Sequence, residues 1–333
     1  MKYMFGLVLF CLFSVVSVAS DKKLTSKQQI EQFYQVMQSK HQFKPEELDA
    51  WFTGVEVDKR IITSISKPAE KTLTWAQYRK IFVKKDRINQ GIKFWNEHLE
   101  LLQKAEQEFG VPAEIIVGLI GVETRYGRIM GKYDIFRSLY TLAFHYPRRS
   151  AFFTKELQAF LVLAKQQGWQ SNSINGSYAG AMGFGQFMPS SYLAYAVDFD
   201  GDDKIHLIDN VADAIGSVAN YISRHGWRKG QPIVEEVNIQ AQSAHTMLTK
   251  GIKPNRTYGE LSSAGVQIPE GLDPKGKALL FTLKTDKDQY WLGHYNFYVI
   301  SRYNPRIFYT KAVVELSEAI REAYETANQG SSK

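Results

Sequence analysis

The chain has 333 residues, with 44% apolar and 23% charged side chains and a formal net charge of +7. That length and balance support a sizeable core in two or three structural units, and they exclude both wholesale disorder and a small disulfide-stapled scaffold. The excess of base calls for an anionic partner such as nucleic acid, anionic lipid or an acidic peptide.

Met1 and Lys2 lead into the apolar block Phe5 to Phe13, and Ser17-Val18-Ala19 then offers small residues for cleavage, so residues 1–19 read as a secretory signal. Export makes nucleic acid the weakest of the anionic partners. The single cysteine, Cys11, follows Phe10 where a bacterial lipid-attachment signal wants a small residue. A lipid anchor is therefore disfavoured, and the processed chain has no thiol for a disulfide, a zinc thiolate or cysteine catalysis. No later run reaches the roughly 18 apolar residues of a transmembrane helix, so a soluble exported protein is expected.

From Thr25 to Phe109 the spacing of Ile30, Phe33, Tyr34 and Met37, and later of Ile92, Trp95, Leu99 and Leu102, fits helices with one buried face. The basic run Lys84 to Arg87 reads as a solvated face as readily as a binding surface. Pro112 can open a helix and Gly127 close it, framing Ala113 to Tyr126. Within it Ile116, Leu119, Ile120 and Glu123 share one face, and no residue from Ile115 to Val122 is charged. Such surroundings push a carboxyl pKa upward, as a general acid working near neutral pH requires. The alternative is a structural pair with Arg125 or another base. The nearest further acids are Asp134, read as starting a turn, and Glu156, read as lying on an exposed helix face.

Glycine-rich turns at Gly127 to Gly131 and Gly176 to Gly185 break the middle of the chain. Gly183-Phe184-Gly185 begins like a dinucleotide fingerprint, but Met188 stands where the third glycine belongs and no strand-like run precedes it. In Asp198-Phe199-Asp200-Gly201-Asp202-Asp203-Lys204 the first three alternate acids start an oxygen cage for Ca²⁺, with the Lys204 carbonyl available as a further ligand. Asp203 and Asp209 occupy the places where an EF-hand has Gly and Glu. After Trp227 the runs Ile233 to Ile239, Ala278 to Leu283 and Tyr290 to Ile300 read as a small antiparallel sheet. Thr310 to Ala327 returns to helical spacing. The seven histidines show no zinc-ligand spacing.

Several motifs match a known family in order: Gly121-Val122-Glu123-Thr124-Arg125-Tyr126-Gly127, Tyr146-Pro147-Arg148-Arg149, Tyr178 to Tyr192, Ala214 to Tyr221, and Asn296 to Asn304. With them the chain resembles the membrane-bound lytic murein transglycosylase B family, glycoside hydrolase family 103, from about Phe33 to Ala323. The resemblance implies a mainly α (α+β) fold. Its parts are a helical N-terminal domain at 20–109 joined by the C-terminal helix 310–328, a lysozyme-like core at 110–228 with a calcium loop at 198–213, a small antiparallel β subdomain at 229–293, and a return to the core and groove at 294–309.

The implied activity is cleavage of the β-1,4 bond between N-acetylmuramic acid and N-acetylglucosamine, with the muramyl C6 hydroxyl as nucleophile and a 1,6-anhydro product. Glu123 is the single catalytic acid and base. Ser177, Gln186, Tyr221, Tyr303, Asn304, Tyr309 and, further out, Tyr78 are the implied glycan contacts, and Gly180, Gly183 and Gly185 are read as letting backbone approach the sugar. Arg148 and Arg149 suit carboxylates of the lactyl group or stem peptide. For the metal, Asp198, Asp200, Asp202 and Lys204 are joined by Asp213 as closing ligand, with Asp209 the competitor; Ca²⁺ is expected as a structural ion, with no organic cofactor. Expected partners are peptidoglycan strands and, as a further class, cell-wall synthesis proteins; a periplasmic monomer is expected. Family members are often lipid-anchored, and Phe10-Cys11 departs from that pattern. The rivals are a hydrolytic muramidase on the same scaffold and a non-catalytic wall-binding protein.

Overall fold

The computed structural model describes residues 24–66, 73–285 and 288–330; the leader read at 1–19, with Cys11, lies outside the described residues. The chain runs α1 (Ser26–His41), α2 (Pro45–Phe52), α3 (Lys59–Ser66), α4 (Trp75–Phe82), α5 (Lys85–Glu97), α6 (Leu99–Phe109) and α7 (Ala113–Thr124). A two-residue strand β1 (Tyr133–Asp134) precedes α8 (Ile135–His145) and α9 (Ser150–Gln167), and β2 (Asn175–Gly176) precedes α10 (Pro189–Tyr195) and α11 (Val211–Arg224). The remainder is β3 (Val234–Val237), β4 (Arg256–Thr257), α12 (Tyr258–Ser263), β5 (Lys277–Lys284), β6 (Asp288–Gly293), α13 (Tyr295–Ile300) and α14 (Ile307–Gly330).

Helix α7 is the axis of the core. Its uncharged run leaves Ile116, Leu119 and Ile120 without solvent contact, each stabilising the fold by at most about 1.5–3 kcal/mol. Helices α5, α6, α11 and α14 surround it, so apolar side chains are needed all round rather than on one stripe. The approach of α14 is close: a Cβ added at Gly118 would sit 2.0 Å from Ser317 Oγ. The region 20–109 divides its packing, with α1 and α3 against α8 and α4 and α5 against α14. Phe33, Phe52, Phe136 and Phe144 join the first of these groups through ring contacts of 5.2–6.4 Å.

The sheet is antiparallel throughout, in the order β3-β6-β5-β4, with Leu280 opposite Leu292 and Phe281 opposite Trp291. Alternation along β5 serves two cores. Leu279, Phe281 and Leu283 join the main one, while Ala278 and Leu280 join a smaller cluster with Tyr258 and Leu261. The run Tyr290 to Ile300, read as one strand, is two elements: β6 ends at Gly293, His294 caps the helix, and Tyr295–Ile300 is α13. β-branched and aromatic content misleads there because Asn296, Phe297, Val299 and Ile300 are buried at helical spacing.

Candidate active site

Helix α7 ends at Thr124, two residues before the expected Tyr126. Arg125 and Tyr126 both take left-handed backbone, with φ of 54° and 60°, a conformation costing about 1–2 kcal/mol for each non-glycine residue. Helix α5 holds this turn. Arg125 bonds Gln90 at 2.9 Å and pairs with Asp86, and the Tyr126 hydroxyl donates to the Arg87 carbonyl at 3.0 Å. Arg87, in the run read as a solvated face as readily as a binding surface, is buried, with one guanidinium nitrogen donating to the Gly121 carbonyl at 2.7 Å. Its positive charge thus meets the negative end of the α7 dipole.

Glu123 stands two residues before Arg125, in the last turn of α7. Arg125 is committed to α5, so the expected alternative of a Glu123–Arg125 pair is not formed. The hydrogen bond to Glu123 comes from the hydroxyl of Tyr309, on the first turn of α14, which donates to Oε1. Burial raises the Glu123 pKa from 4.5 to about 7, and the Tyr309 hydrogen bond opposes that rise. Burial and the nearby Glu123 hold Tyr309 and Tyr303 neutral by raising their pKa values well above the usual range.

The glycine-rich turn is tied to this helix end. Thr124 Oγ1 donates to the Phe184 carbonyl at 2.9 Å and accepts from the Gly127 N–H at 3.0 Å. The Gln186 amide donates to the carbonyls of Met130 and Gly183, both at 3.0 Å. Ser177 Oγ accepts from the Ala179 and Ala181 N–H groups at 3.3 and 3.0 Å, so it builds its own turn. Each of the three glycines also has a protein neighbour that leaves no room for a side chain. A Cβ at Gly180 would meet Leu139 at 2.4 Å, at Gly183 the Leu207 carbonyl at 2.1 Å, and at Gly185 the Tyr303 hydroxyl at 2.9 Å.

Of the four tyrosines singled out, Tyr303 alone is half-exposed. Its hydroxyl donates to the Gly185 carbonyl at 2.9 Å, and its ring packs 4.7 Å from that of Tyr221. Tyr221 is buried and donates to the Arg302 carbonyl at 2.7 Å. Tyr78 is buried beside Trp75, Phe82 and Phe308. Asn304 follows Tyr303 in the turn before α14, half-buried, with its carbonyl accepting from the Arg306 N–H at 2.7 Å. The structure therefore brings Glu123, Tyr303 and Tyr309 together, with Gln186 next in the chain to the Gly185 carbonyl that holds Tyr303. Arg148 and Arg149 lie exposed in the turn Pro147–Arg149 between α8 and α9, with the Arg149 guanidinium 4.2 Å from the Phe152 ring. Among the described residues no hydrogen bond or ion pair joins them to Glu123.

Both further acids have structural partners. Glu156 is buried, not exposed: it accepts from the Ser190 N–H at 3.0 Å and the Ser190 hydroxyl at 2.7 Å, capping α10. Asp134 caps α8 by accepting from the Arg137 N–H at 2.6 Å. The pairing of Glu156 with Ser190 bridges residues remote in sequence, and no local pattern announces it.

In the acidic loop, oxygens of Asp198, Asp200 and Asp202 lie within 4.8 Å of one another. Asp198 accepts from the N–H groups of Gly201, Asp202 and Asp203 at 2.7, 3.2 and 2.8 Å, and Asp202 from that of Lys204 at 2.9 Å. Asp203 has φ of 65°, a left-handed conformation that aspartate tolerates where an EF-hand uses glycine. Buried Asp213 accepts from the Phe199 and His206 N–H groups at 2.8 and 2.7 Å, joining the two arms of the loop. Its pKa is raised by burial, with the charges of Asp200 and Asp198 adding to the effect. Neither Asp213 nor Asp209 belongs to the cluster of three. The donors are all oxygen, as a hard divalent cation such as Ca²⁺ requires.

Residues 25–318 match the Transglycosylase SLT domain family. Over 300 residues the chain is 42% identical to the membrane-bound lytic murein transglycosylase B of Escherichia coli (strain K12), spanning 87% of this chain and 82% of that protein. The soluble lytic transglycosylase SltB1 from Pseudomonas aeruginosa superposes with a TM-score of 0.84 at 45% identity, covering 89% of this chain and 99% of the other. A lytic transglycosylase of Escherichia coli in complex with calcium superposes with a TM-score of 0.80 at 42% identity, covering 89% and 93%.

Proposed function

The chain belongs to the Transglycosylase SLT domain family, and we propose that Glu123 alone supplies both the acid and the base of its reaction. The protein is a peptidoglycan lytic transglycosylase. In the reaction proposed, the neutral Glu123 carboxyl gives its proton to the glycosidic oxygen as the bond from C1 of N-acetylmuramic acid to O4 of N-acetylglucosamine breaks. The resulting carboxylate takes the proton of the muramyl C6 hydroxyl while O6 bonds to C1. Glu123 ends protonated, and no water enters the product.

The observation that carries this reading is a half-buried carboxyl with a pKa of about 7, hydrogen-bonded by a neutral tyrosine. Two-carboxylate glycosidases need a second free acid within about 10 Å, whereas Glu156 and Asp134 are engaged in capping helices. Tyr309 holds Oε1, which leaves Oε2 to carry the proton into the groove. Tyr303, Asn304 and Gln186 are assigned to the glycan, as is Ser177, whose oxygen accepts within its own turn while its hydroxyl proton can donate to a sugar.

The acidic loop is assigned to a structural Ca²⁺ held by Asp198, Asp200, Asp202 and the Lys204 carbonyl. Residues 110–228 with 294–309 are taken as the catalytic core, 20–109 with 310–328 as its helical support, and 229–293 as the β subdomain. A periplasmic site of action accords with the leader pattern at 1–19 and with the lack, among the described residues, of a helix long and apolar enough to cross a membrane. Phe10 before Cys11 argues against a lipid anchor. Mass spectrometry of digested sacculi tests the chemistry: wild type should release 1,6-anhydromuramyl ends and Glu123→Gln should be slower by about 10²–10⁴-fold, whereas reducing muramyl ends from wild type would replace this reaction with hydrolysis.

A further inference from the structure

Resting on that reading, we propose that a cationic concavity where the sheet meets α13 binds carboxylates of the peptide carried by the glycan strand. Arg228, Lys253, Lys275 and Lys277 line a single cavity of about 410 Å³ together with Tyr295 and Tyr298, and no acid lines it. Its volume lies within the range of small-ligand sites. The four cations come from three separate stretches: the connection from α11 to β3, the approach to β4, and the approach to and first residue of β5. The fold gathers them, not a basic run in the sequence.

Among the described residues none of the four has a carboxylate within ion-pair distance. Like charges so gathered repel one another, and an anion placed between them relieves that repulsion. Arg228 is pre-set for this role. Its guanidinium lies 3.8 Å from the Tyr295 ring, and its backbone is gripped by the Asn296 amide through bonds of 2.9 and 2.8 Å. A guanidinium fork and mobile ammonium groups suit carboxylates, while tyrosine rings offer apolar surface to the peptide between them.

Two observations tie the cavity to the catalytic groove. Helix α13, which carries Tyr295 and Tyr298, leads directly to Arg302 and Tyr303. A second concavity is lined by Lys250, Ile252, Arg306 and Phe308; Ile252 directly precedes Lys253 in the chain, and Phe308 is the neighbour of Tyr309. An acidic peptide hanging from a bound glycan is the anion that the substrate itself brings to this place.

The test compares two substrates, soluble glycan strands bearing their peptides and the same strands stripped by an amidase. Lys253, Lys275 and Lys277 are exposed, so their joint replacement by Gln should leave the thermal midpoint unchanged. With peptide-bearing strands that variant should show KM raised roughly tenfold at unchanged kcat. With stripped strands KM should stay within about twofold of wild type, and the corresponding triple Arg variant should behave as wild type on both. An equal rise on both substrates, which would mean that the cations read the sugar or its lactyl group, overturns the proposal, as does an unchanged KM on peptide-bearing strands. Absence of anhydro ends from wild type on both substrates would instead defeat the transglycosylase reading and this proposal with it.

Discussion

The pairing of Glu123 with Tyr309 sets the chemistry through two opposed effects. Burial disfavours the carboxylate and the tyrosine hydroxyl favours it, with burial the larger. The apolar run from Ile115 to Val122 makes the first effect legible in the sequence, because the helical repeat places Glu123 on a face that must be buried. The second is not legible from local pattern, since Tyr309 lies 186 residues away and only family resemblance marks it. Arg87 was hidden for a similar reason: a basic run looks solvated until a helix end is packed over one member. The acid must be protonated in the free enzyme, so kcat/KM should fall as pH rises through about 7. Tyr309→Phe removes the interaction that lowers the Glu123 pKa, so that limb should move to higher pH. A limb that stayed in place or moved down would show that Tyr309 does not act on the carboxyl.

Helices with one apolar face, and the strands of β3 and β5, follow from periodicity. The strand-to-helix change at His294 does not, because the aromatic and β-branched residues that suit a strand also fill the buried face of α13. The acidic loop lies between these cases. Its alternating acids are visible, and the three carboxylates do converge, but the role of Asp213 as a clamp between Phe199 and His206 depends on where α11 begins. A cation that binds only the folded loop stabilises the protein, by about 2.7 kcal/mol at a concentration one hundred times its Kd. Added Ca²⁺ should therefore raise the thermal midpoint by several degrees, and the double variant Asp200→Asn/Asp202→Asn should lose that response. An unresponsive wild type, checked after chelation, would leave the loop as a solvated turn.

Across the whole molecule, the fold brings the two ends of the catalytic unit together, with α7 supplying the acid and α14 returning from beyond the sheet to supply its tyrosine. Lys311 fixes that return. It is buried two residues after Tyr309, pairs with Glu315 at 2.6 Å and lies 3.7 Å from the Trp291 ring on β6. Lys311→Ala should destabilise the protein by about 2–3 kcal/mol, because Glu315 keeps its pairing with Arg79, and lower the midpoint by roughly 5–10 °C. A change below one degree would show that α14 is held by its apolar face alone. This architecture exists to keep one carboxyl protonated near neutrality, and carbon-13 NMR of glutamate-labelled protein can observe that directly. The resonance absent from Glu123→Gln should titrate with a midpoint of about 7 in the wild type; a midpoint at the ordinary glutamate value of about 4.5 would contradict the account.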